Sequence, residues 1–202
     1  DGVRMGMLLA APAGNDILFK EDLCKQGANF CNKIWNAFRL VQGWQAADID
    51  QPLSSAKAID WMQAKVRAEV AEIDDLYSKY RLNEALMTAF KLFTDEFSGW
   101  YLEMVKPAYQ APIDRKTLQA TLQIFEDLMK VIHPFMPFIT EEIYQHITER
   151  AEGESIMTSV LTLEAPNQAD AALLASMEQA KQIISGVRAI RQSKNIAPRE
   201  EM

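Results

Sequence analysis

The sequence predicts an all-α protein, an antiparallel bundle of helices in one compact domain. Apolar residues recur at steps of three, four or seven along most of the 202-residue chain, a spacing that places them on one side of a helix. No segment shows the sustained alternation of apolar and polar residues that is typical of strands. The short connections between successive helices favour antiparallel packing.

Two helices are predicted in the N-terminal part of the chain. A short helix is expected within residues 1–12, where Pro12 halts it, and an irregular link follows over residues 13–20. The second helix covers residues 21–43 and precedes a loop at residues 48–52. This second helix mixes bulky apolar residues with asparagines and cations, which sets it apart from an ordinary core helix.

Two long helices are predicted in the middle of the chain. Apolar residues at helical spacing extend over residues 53–79, and a second pattern runs from Leu82 to the break at Pro107. Trp100 and Tyr101 fall within the apolar pattern of the second helix, so we expect both residues to belong to the core.

Capping residues define two further helices. Asp114 is expected to be the N-cap of a helix that ends at His133, because the proline that follows disfavours helical geometry in the residue before it. The prolines of the next stretch predict a rigid corner with Phe135 and Phe138 turned inward. Thr140, which two glutamates follow, is expected to cap a short helix.

A loop and a final helix complete the predicted fold. Residues 151–168 are expected to form the loop, in which the stretch SIMTSVLTL at residues 155–163 could be extended. The final helix is predicted over residues 170–193. Its apolar residues at helical spacing are expected to be buried: Leu174, Met177, Ile184, Val187 and Ile190.

Composition excludes several functional classes. A net charge of −7 is unfavourable for indiscriminate nucleic-acid binding, because phosphate affinity comes from lysine and arginine. No apolar run approaches the roughly 18 to 20 residues of a membrane helix, and the first residues lack a secretory signal, so we expect a cytoplasmic location. The two histidines and two cysteines, Cys24 and Cys31, have no zinc-ligand spacing, so we expect no metal and reduced thiols.

The sequence gives no sign of a catalytic site. It contains no phosphate-binding loop, dinucleotide fingerprint, nucleophile elbow or zinc-protease motif. Adjacent acids such as Asp74 and Asp75 point about 100° apart on a helix and cannot flank one substrate atom. His133 precedes a proline at a helix end, a position typical of a structural residue. We therefore predict no catalytic residue and no cofactor in this chain.

One side of the helix over residues 21–43 is the strongest candidate for a binding site. At about 100° per residue, six polar residues fall within one arc of about 120°, and we expect no acid beside them. We call these six residues the polar face: Lys25, Asn29, Asn32, Lys33, Asn36 and Arg39. The opposite side of the helix carries a normal core stripe, with Trp35 at its edge.

Two interpretations of the polar face fit the spacing equally well. Amides both donate and accept hydrogen bonds, and with neighbouring cations they suit the base edges and phosphates of unstacked RNA. Alternatively, the asparagines hydrogen-bond to neighbouring helices inside the bundle. A second basic group lies between Lys181 and Arg199, where no acid occurs; its Arg188, Arg191 and Lys194 form either a solvated helix face or a further contact with nucleic acid.

Three stretches resemble class I aminoacyl-tRNA synthetases. They are NFCNKIWNAFRLV, YRLNEALMTAFKLFTDEFSGWYLEMVK, and IHPFMPFITEEIYQ followed by ESIM, in this order and spacing. Among the isoleucyl, leucyl and valyl members, MPFITEE and SIM are most similar to the valyl enzymes, with the isoleucyl enzymes as the alternative. The opening DGVRMGMLLAAPAGNDILF resembles the segment that leads from the catalytic domain into the anticodon domain.

The resemblance implies a helical-bundle anticodon-binding domain. Residues 1–20 would end the connection from the catalytic domain, and residues 21–202 would form the bundle, truncated before a C-terminal arm. The parent enzyme would join valine to its tRNA with ATP, but the catalytic signatures are absent from this chain, which should not aminoacylate. The implied partners are the anticodon stem and loop of a tRNA and the catalytic domain of the same chain, in a monomer.

The resemblance also implies roles for the polar face. Its asparagines would meet base edges or sugar hydroxyls, its cations would neutralise phosphates, and Trp35 could offer a stacking edge. The C-terminal basic group would touch the outer tRNA backbone. Many relatives carry an arginine where this chain has Ala28, so that contact is either missing or supplied by Lys25 or Arg39. The rival interpretation from another class is a helical scaffold whose asparagines contact a protein.

Overall fold

Helices account for most of the regular structure of the chain. The computed structural model describes residues 1–10 and 19–197, so most of the irregular link expected over residues 13–20 lies outside the described residues. The helices are α1 (Gly2–Ala10), α2 (Glu21–Gln42), α3 (Leu53–Ser78), α4 (Leu82–Lys91), α5 (Leu102–Val105), α6 (Arg115–Ile132), α7 (Pro137–Ile147) and α8 (Gln168–Ser193). The predicted all-α class is confirmed.

A π-helical segment (Leu92–Tyr101) joins α4 to α5 without a break, so one long helix forms where the sequence predicts it. A π-helix closes i→i+5 hydrogen bonds and therefore has wider turns than an α-helix. Phe93, Phe97 and Tyr101, which are four residues apart in this segment, are all fully buried. The burial of these three residues agrees with the predicted apolar pattern, whereas the wider turns of the π-helix are not predicted by it.

An aromatic cluster at the centre of the bundle joins three helical segments. Between ring centroids, Phe125 on α6 lies 6.2 Å from Phe38 on α2. It also lies 5.8 Å from Phe93 and 5.2 Å from Phe97 in the π-helical segment. All three pairs are edge-to-face, an arrangement that aromatic rings prefer because the ring edge is positive and the ring face negative. Phe125 therefore fixes α2 and the π-helical segment against α6.

A short parallel bridge joins the loops on either side of the middle helices. The strand β1 (Ala46–Ala47) follows α2 and pairs with the strand β2 (Ile113–Asp114), which precedes α6. The Asp114 carboxylate accepts a hydrogen bond from the Thr117 backbone N–H at 2.8 Å, so the predicted N-cap of α6 is confirmed. The bridge holds the loop before α6 against the loop after α2.

Thr140 does not cap α7, contrary to the prediction. The helix already begins at Pro137, whose fixed φ suits the first helical position, and Thr140 is fully buried inside the helix. The Thr140 hydroxyl donates to the Met136 carbonyl at 2.8 Å and lies 2.7 Å from His133 Nδ1. Burial lowers the pKa of His133, which favours the neutral ring in this contact.

Two further expectations hold only in part. Phe135 is buried as predicted, but Phe138 is 75% exposed, because the early start of α7 turns it outward. The extended conformation expected for residues 155–163 is wrong at its start, where a 3₁₀ turn covers Ile156–Thr158. The side chain of Ser155 accepts a hydrogen bond from a backbone N–H of this turn and so favours the turn over a strand.

The helix α8 is more exposed than the sequence predicts. In its first turn the Asp170 carboxylate accepts two hydrogen bonds from the Arg67 guanidinium, at 2.9 and 2.6 Å. Leu174 and Met177, which are predicted to be buried, are partly buried and pack against the core. The predicted burial of Ile184, Val187 and Ile190 is wrong, since they are 39%, 42% and 62% exposed. The reason is that α8 packs mainly against α3, which does not cover the second half.

Replacing Phe125 by alanine tests the central role of the aromatic cluster. We expect Phe125→Ala to lower the free energy of unfolding by about 3 to 5 kcal/mol, because a buried ring and its three aromatic contacts are lost. Phe138→Ala is the matched control and should change the free energy by less than about 0.5 kcal/mol, since Phe138 is exposed. Urea unfolding followed by circular dichroism measures both, and equal losses would contradict the assignment.

Candidate nucleic-acid interface

The helix α2 has one buried and one exposed side. Its inner side carries apolar residues that are almost fully buried: Phe30, Ile34, Phe38 and Val41. The outer side exposes every member of the polar face: Lys25, Asn29, Asn32, Lys33, Asn36 and Arg39. The exposure expected from the helical spacing is therefore observed, while the role of these residues in binding stays a prediction.

The three asparagines of the polar face are free for contacts outside the bundle. Within the described part of the chain, the side-chain amides of Asn29, Asn32 and Asn36 form no hydrogen bond. Asn83 on α4 shows what a structural amide does in this fold, because its Nδ2 donates to the carbonyls of Leu8 and Leu9 at 3.0 and 2.8 Å. The geometry thus favours external recognition by the polar face over the interpretation that its amides join helices.

Two cations lie beside these amides. Lys33 Nζ donates to the Thr94 carbonyl at 3.3 Å and so links α2 with the π-helical segment, although its side chain remains exposed. Arg39 forms no ion pair within residues 1–10 and 19–197 and lies one turn beyond Asn36. Positive charge is therefore available next to the amides, with Arg39 the less restrained of the two cations.

Lys25 differs from the rest of the polar face. Its Nζ lies 3.2 Å from a Glu21 carboxylate oxygen and 3.4 Å from an Asp22 carboxylate oxygen. The expectation that the face has no neighbouring acid is therefore wrong at this end, because the first turn of α2 brings both acids beside Lys25. Exposed pairs of this kind contribute little stability, but they reduce the positive charge that Lys25 can offer.

Trp35 and Cys31 occupy the boundary between the two sides of α2. The Trp35 ring is half-buried and packs against Phe38, with 5.6 Å between the ring centroids. This contact shows that one part of the Trp35 ring packs in the core. The expectation that an exposed edge of Trp35 stacks on a base stays a prediction. Cys24 and Cys31 are both free thiols, and burial raises the pKa of Cys31, which keeps this thiol protonated and unreactive.

A cleft of about 810 Å³ continues from the C-terminal end of the polar face. Arg39 and Leu40 of α2 form one wall, residues 43–45 form the floor, and the loop over residues 107–112 forms the other wall. Tyr109 stands on this loop and is 92% exposed, which makes it the most exposed of the large apolar side chains in the described part. An exposed tyrosine and an arginine are thus both among the residues that line this cleft.

Backbone contacts hold the second wall of the cleft in place. The Ile113 backbone N–H donates to the Gln45 carbonyl at 2.9 Å, directly beside the β1–β2 bridge. Gln110 has a positive φ of 62°, which marks a tight local turn. The sequence analysis missed this cleft; the one available signal was an aromatic residue between Pro107 and Pro112 in a connection between helices.

The C-terminal basic group lies on a different helix from the polar face. The guanidinium carbon of Arg188 lies 5.3 Å from the centroid of the Trp100 ring, within cation–π distance. Arg188 and Arg191 line a shallow surface pocket, and Lys194 follows the last turn of α8. Arg199 lies outside the described residues. The structure therefore separates the predicted binding residues into two groups, one on α2 and one on α8.

The described part of the chain contains no cluster of three or more histidine, cysteine, aspartate or glutamate residues arranged to hold a metal ion. None of the helices in these same residue ranges is long and apolar enough to cross a membrane.

Comparison with known proteins gives one family and several relatives. The family described as the anticodon-binding domain of tRNA ligase matches residues 60–202. The whole chain is 56% identical to a valine–tRNA ligase of Phocaeicola vulgatus and 56% identical to one of Bacteroides thetaiotaomicron. A valine–tRNA ligase of Fusobacterium nucleatum is 32% identical over 98% of the chain. The resemblance inferred from the sequence motifs is confirmed.

The chain spans 23% of the length of each of these three relatives. The family match begins within α3, so α2 and its polar face precede the matched residues. The alignments with the first two relatives cover the entire chain and therefore include α2.

Removing the amides of the polar face should leave the fold intact. We expect Asn32→Ala/Asn36→Ala to change the free energy of unfolding by less than about 0.5 kcal/mol, because neither amide is bonded within the described bundle. Asn83→Ala is the matched control and should cost about 1 to 2 kcal/mol through its two lost hydrogen bonds. If the double variant loses as much stability as the control in urea unfolding, the asparagines are structural.

Proposed function

Because the chain belongs to the anticodon-binding domain family of tRNA ligases, we propose that it is the tRNA-recognition module of a valine–tRNA ligase. Its task is to bind the anticodon stem and loop of the tRNA. The observation that carries this proposal is the polar face, where three asparagines expose unbonded amides beside two cations.

In the proposed function, residues of a longer enzyme outside this chain carry out catalysis. The relatives are named valine–tRNA ligases and are more than four times as long as this chain. In the proposed parent, the remaining residues join valine to its tRNA with ATP, and this chain contributes binding only. The proposal includes a cytoplasmic, monomeric parent, in agreement with the expectation from the sequence.

The asparagines suit the unstacked bases of an anticodon loop. Each side-chain amide offers two donor hydrogens and one acceptor oxygen, so it can pair with the mixed donors and acceptors of a base edge. Sequence-specific recognition of RNA usually targets such single-stranded loops, whose bases are splayed out and accessible. Asn29, Asn32 and Asn36 lie at successive turns of α2 and can contact neighbouring nucleotides along one line.

The cations of the polar face provide the contact with the RNA backbone. Arg39 presents a planar guanidinium that can bind a phosphate through two hydrogen bonds. Lys33 can exchange its hydrogen bond with the Thr94 carbonyl for a phosphate oxygen, because the Lys33 side chain is exposed. Lys25 contributes less, since two acids already accompany it. The overall negative charge of the chain then disfavours contacts away from this face.

The cleft beside Arg39 offers a place for one base to stack. Aromatic rings bind unstacked bases through their faces, and a neighbouring guanidinium adds phosphate or cation–π contacts. Tyr109 supplies such a ring at the surface, whereas the Trp35 ring is half-buried and packs against Phe38. The proposed site therefore includes Tyr109, Arg39 and the asparagines on one continuous surface. The basic group on α8 lies on a separate helix and is not included in the proposed site, so its contact with the outer tRNA backbone stays a prediction.

Two alternatives are less well supported. One alternative is an isoleucyl enzyme, which would have the same bundle. However, the two relatives that are 56% identical to the chain are valine–tRNA ligases. The other alternative is a helical scaffold whose asparagines contact a protein, and its binding would depend little on salt concentration. The family match and the free cation beside the amides favour RNA over this scaffold.

The Asn32→Ala/Asn36→Ala variant tests the proposed function in solution. We expect the chain to prefer a valine tRNA transcript to an isoleucine tRNA transcript, and the variant to bind the valine tRNA about thirtyfold more weakly. Two lost hydrogen bonds of about 1 kcal/mol each account for this factor. Fluorescence anisotropy at two salt concentrations measures the affinities.

The control for this experiment is Gln123→Ala, which removes an exposed amide on α6 and should leave the affinity unchanged. Binding that ignores both the tRNA identity and the asparagines would contradict the proposed function.

The stacking role of Tyr109 gives a separate prediction. We expect Tyr109→Ala to weaken tRNA binding by between about fivefold and about 150-fold, because one base loses its aromatic platform. Tyr109→Phe keeps the ring and should keep most of the affinity. Tyr80→Ala is the control, since Tyr80 is also exposed (84%) but lies between α3 and α4. Equal effects of the Tyr109→Ala and Tyr80→Ala variants in the anisotropy assay would exclude a specific stacking site.

A further inference from the structure

The second half of α8 exposes a stripe of large apolar side chains. Ile183, Ile184, Val187 and Ile190 are 68%, 39%, 42% and 62% exposed. At about 100° per residue, these four side chains fall within an arc of about 120° on one side of the helix. We call them the isoleucine stripe. A helix of this kind normally buries such a stripe, because burial supplies most of the stability of a helix in a protein.

The contacts of α8 with the described bundle lie mainly in its first half, and the contact of Arg188 with the Trp100 ring belongs to the second half. Arg67 binds Asp170 near the start of the helix, and Lys181 Nζ lies 2.9 and 2.7 Å from the Glu96 carboxylate oxygens near its middle. From residue 182 to residue 190 every residue is exposed. The isoleucine stripe therefore begins where the contacts with the described bundle become sparse.

Gly186 is a second, independent observation that indicates a binding partner for this side of α8. It lies inside α8, where glycine destabilises a helix by up to about 1 kcal/mol relative to alanine. A Cβ added to Gly186 would meet no atom within 4 Å, so packing in the described structure does not explain the glycine. Gly186 lies about 40° from Ile190 around the helix, directly beside the stripe. A close approach by another segment would explain a residue without a side chain there.

Charge restricts what can cover the stripe. No acidic residue occurs between Gln179 and Ala197, whereas Arg188, Arg191 and Lys194 lie beside or within the apolar arc. Two copies of this face would place like charges opposite each other, which opposes self-association. RNA would match the cations, but isoleucine side chains offer it neither hydrogen bonds nor aromatic stacking. A protein segment with apolar and acidic side chains complements both features.

We propose that the isoleucine stripe is an internal docking surface of the full-length ligase. Its occupant is an apolar, acid-bearing segment from the part of the polypeptide outside residues 1–202, with its closest approach at Gly186. The length of the relatives supports this occupant, since the chain spans only 23% of each and the remainder can supply such a segment. This inference rests on the proposed function only in assuming that the chain is part of a longer ligase.

Thiol labelling tests the docking in the full-length ligase. Val187→Cys introduces a thiol in the centre of the stripe, and Gln182→Cys introduces a control thiol at the exposed opposite side of α8. Each variant is made in the 202-residue chain and in the full-length ligase, and peptide mass spectrometry follows each site separately from Cys24 and Cys31. We expect the Val187→Cys site to react at least tenfold more slowly in the full-length protein, with the control within twofold.

Three results would overturn the proposal. Equal labelling rates of the Val187→Cys site in the two proteins would show that no segment covers the stripe. Protection of the full-length protein only after tRNA is added would identify RNA as the occupant. Protection that grows with the concentration of the 202-residue chain would identify a second copy. The labelling without tRNA does not depend on RNA binding, so its outcome is separate from that of the tRNA affinity measurements.

A second variant tests the contact at Gly186. Gly186→Leu should leave the circular dichroism of the 202-residue chain unchanged, because the added side chain meets no atom there. In the full-length ligase it should raise the labelling rate of the Val187→Cys site to within threefold of the rate in the 202-residue chain, because the docked segment is displaced. Unchanged protection would overturn the close approach at Gly186.

Discussion

The packing of Phe125 against α2 and the π-helical segment is the interaction on which the rest of the structure depends. Its ring contacts Phe38, Phe93 and Phe97, and together with the contacts of Phe30 it holds the inner side of α2 against the core. Once the inner side of α2 is fixed in this way, the asparagines must lie at the surface. The exposure of the polar face is therefore a consequence of the aromatic core.

This arrangement separates the buried side of α2, which stabilises the fold, from its exposed side, which is proposed to bind RNA. Asparagine is a poorer helix former than alanine because its amide competes for backbone hydrogen bonds, so three asparagines weaken α2 slightly. Burial of Phe30, Ile34 and Phe38 offsets this cost, since each buried large apolar side chain contributes about 1.5 to 3 kcal/mol. The outer side can then carry unbonded amides, which suits a surface that contacts a partner.

Local chemistry in the sequence predicts the polar face and the cap of α6, but it fails at Thr140, because α7 begins three residues earlier, and it fails where distant segments meet. The polar face followed from the spacing of Asn29, Asn32 and Asn36, and the cap at Asp114 followed from its side chain. The cleft beside Tyr109 needs the β1–β2 bridge between loops far apart in the chain, which no local pattern contains. The isoleucines of α8 have helical spacing, but spacing cannot tell whether a neighbour is present.

Site-specific photocrosslinking can establish whether the outer side of α2 binds the anticodon loop, as proposed. A photoreactive amino acid replaces Asn32 in one sample and the exposed Gln123 of α6 in another, each mixed with valine tRNA. Sequencing of the crosslinked RNA locates the contacted nucleotides. We expect the Asn32 probe to crosslink to the anticodon loop and the Gln123 probe not to crosslink there. Crosslinks from the Asn32 probe to the acceptor stem, or none above the Gln123 level, would contradict this expectation.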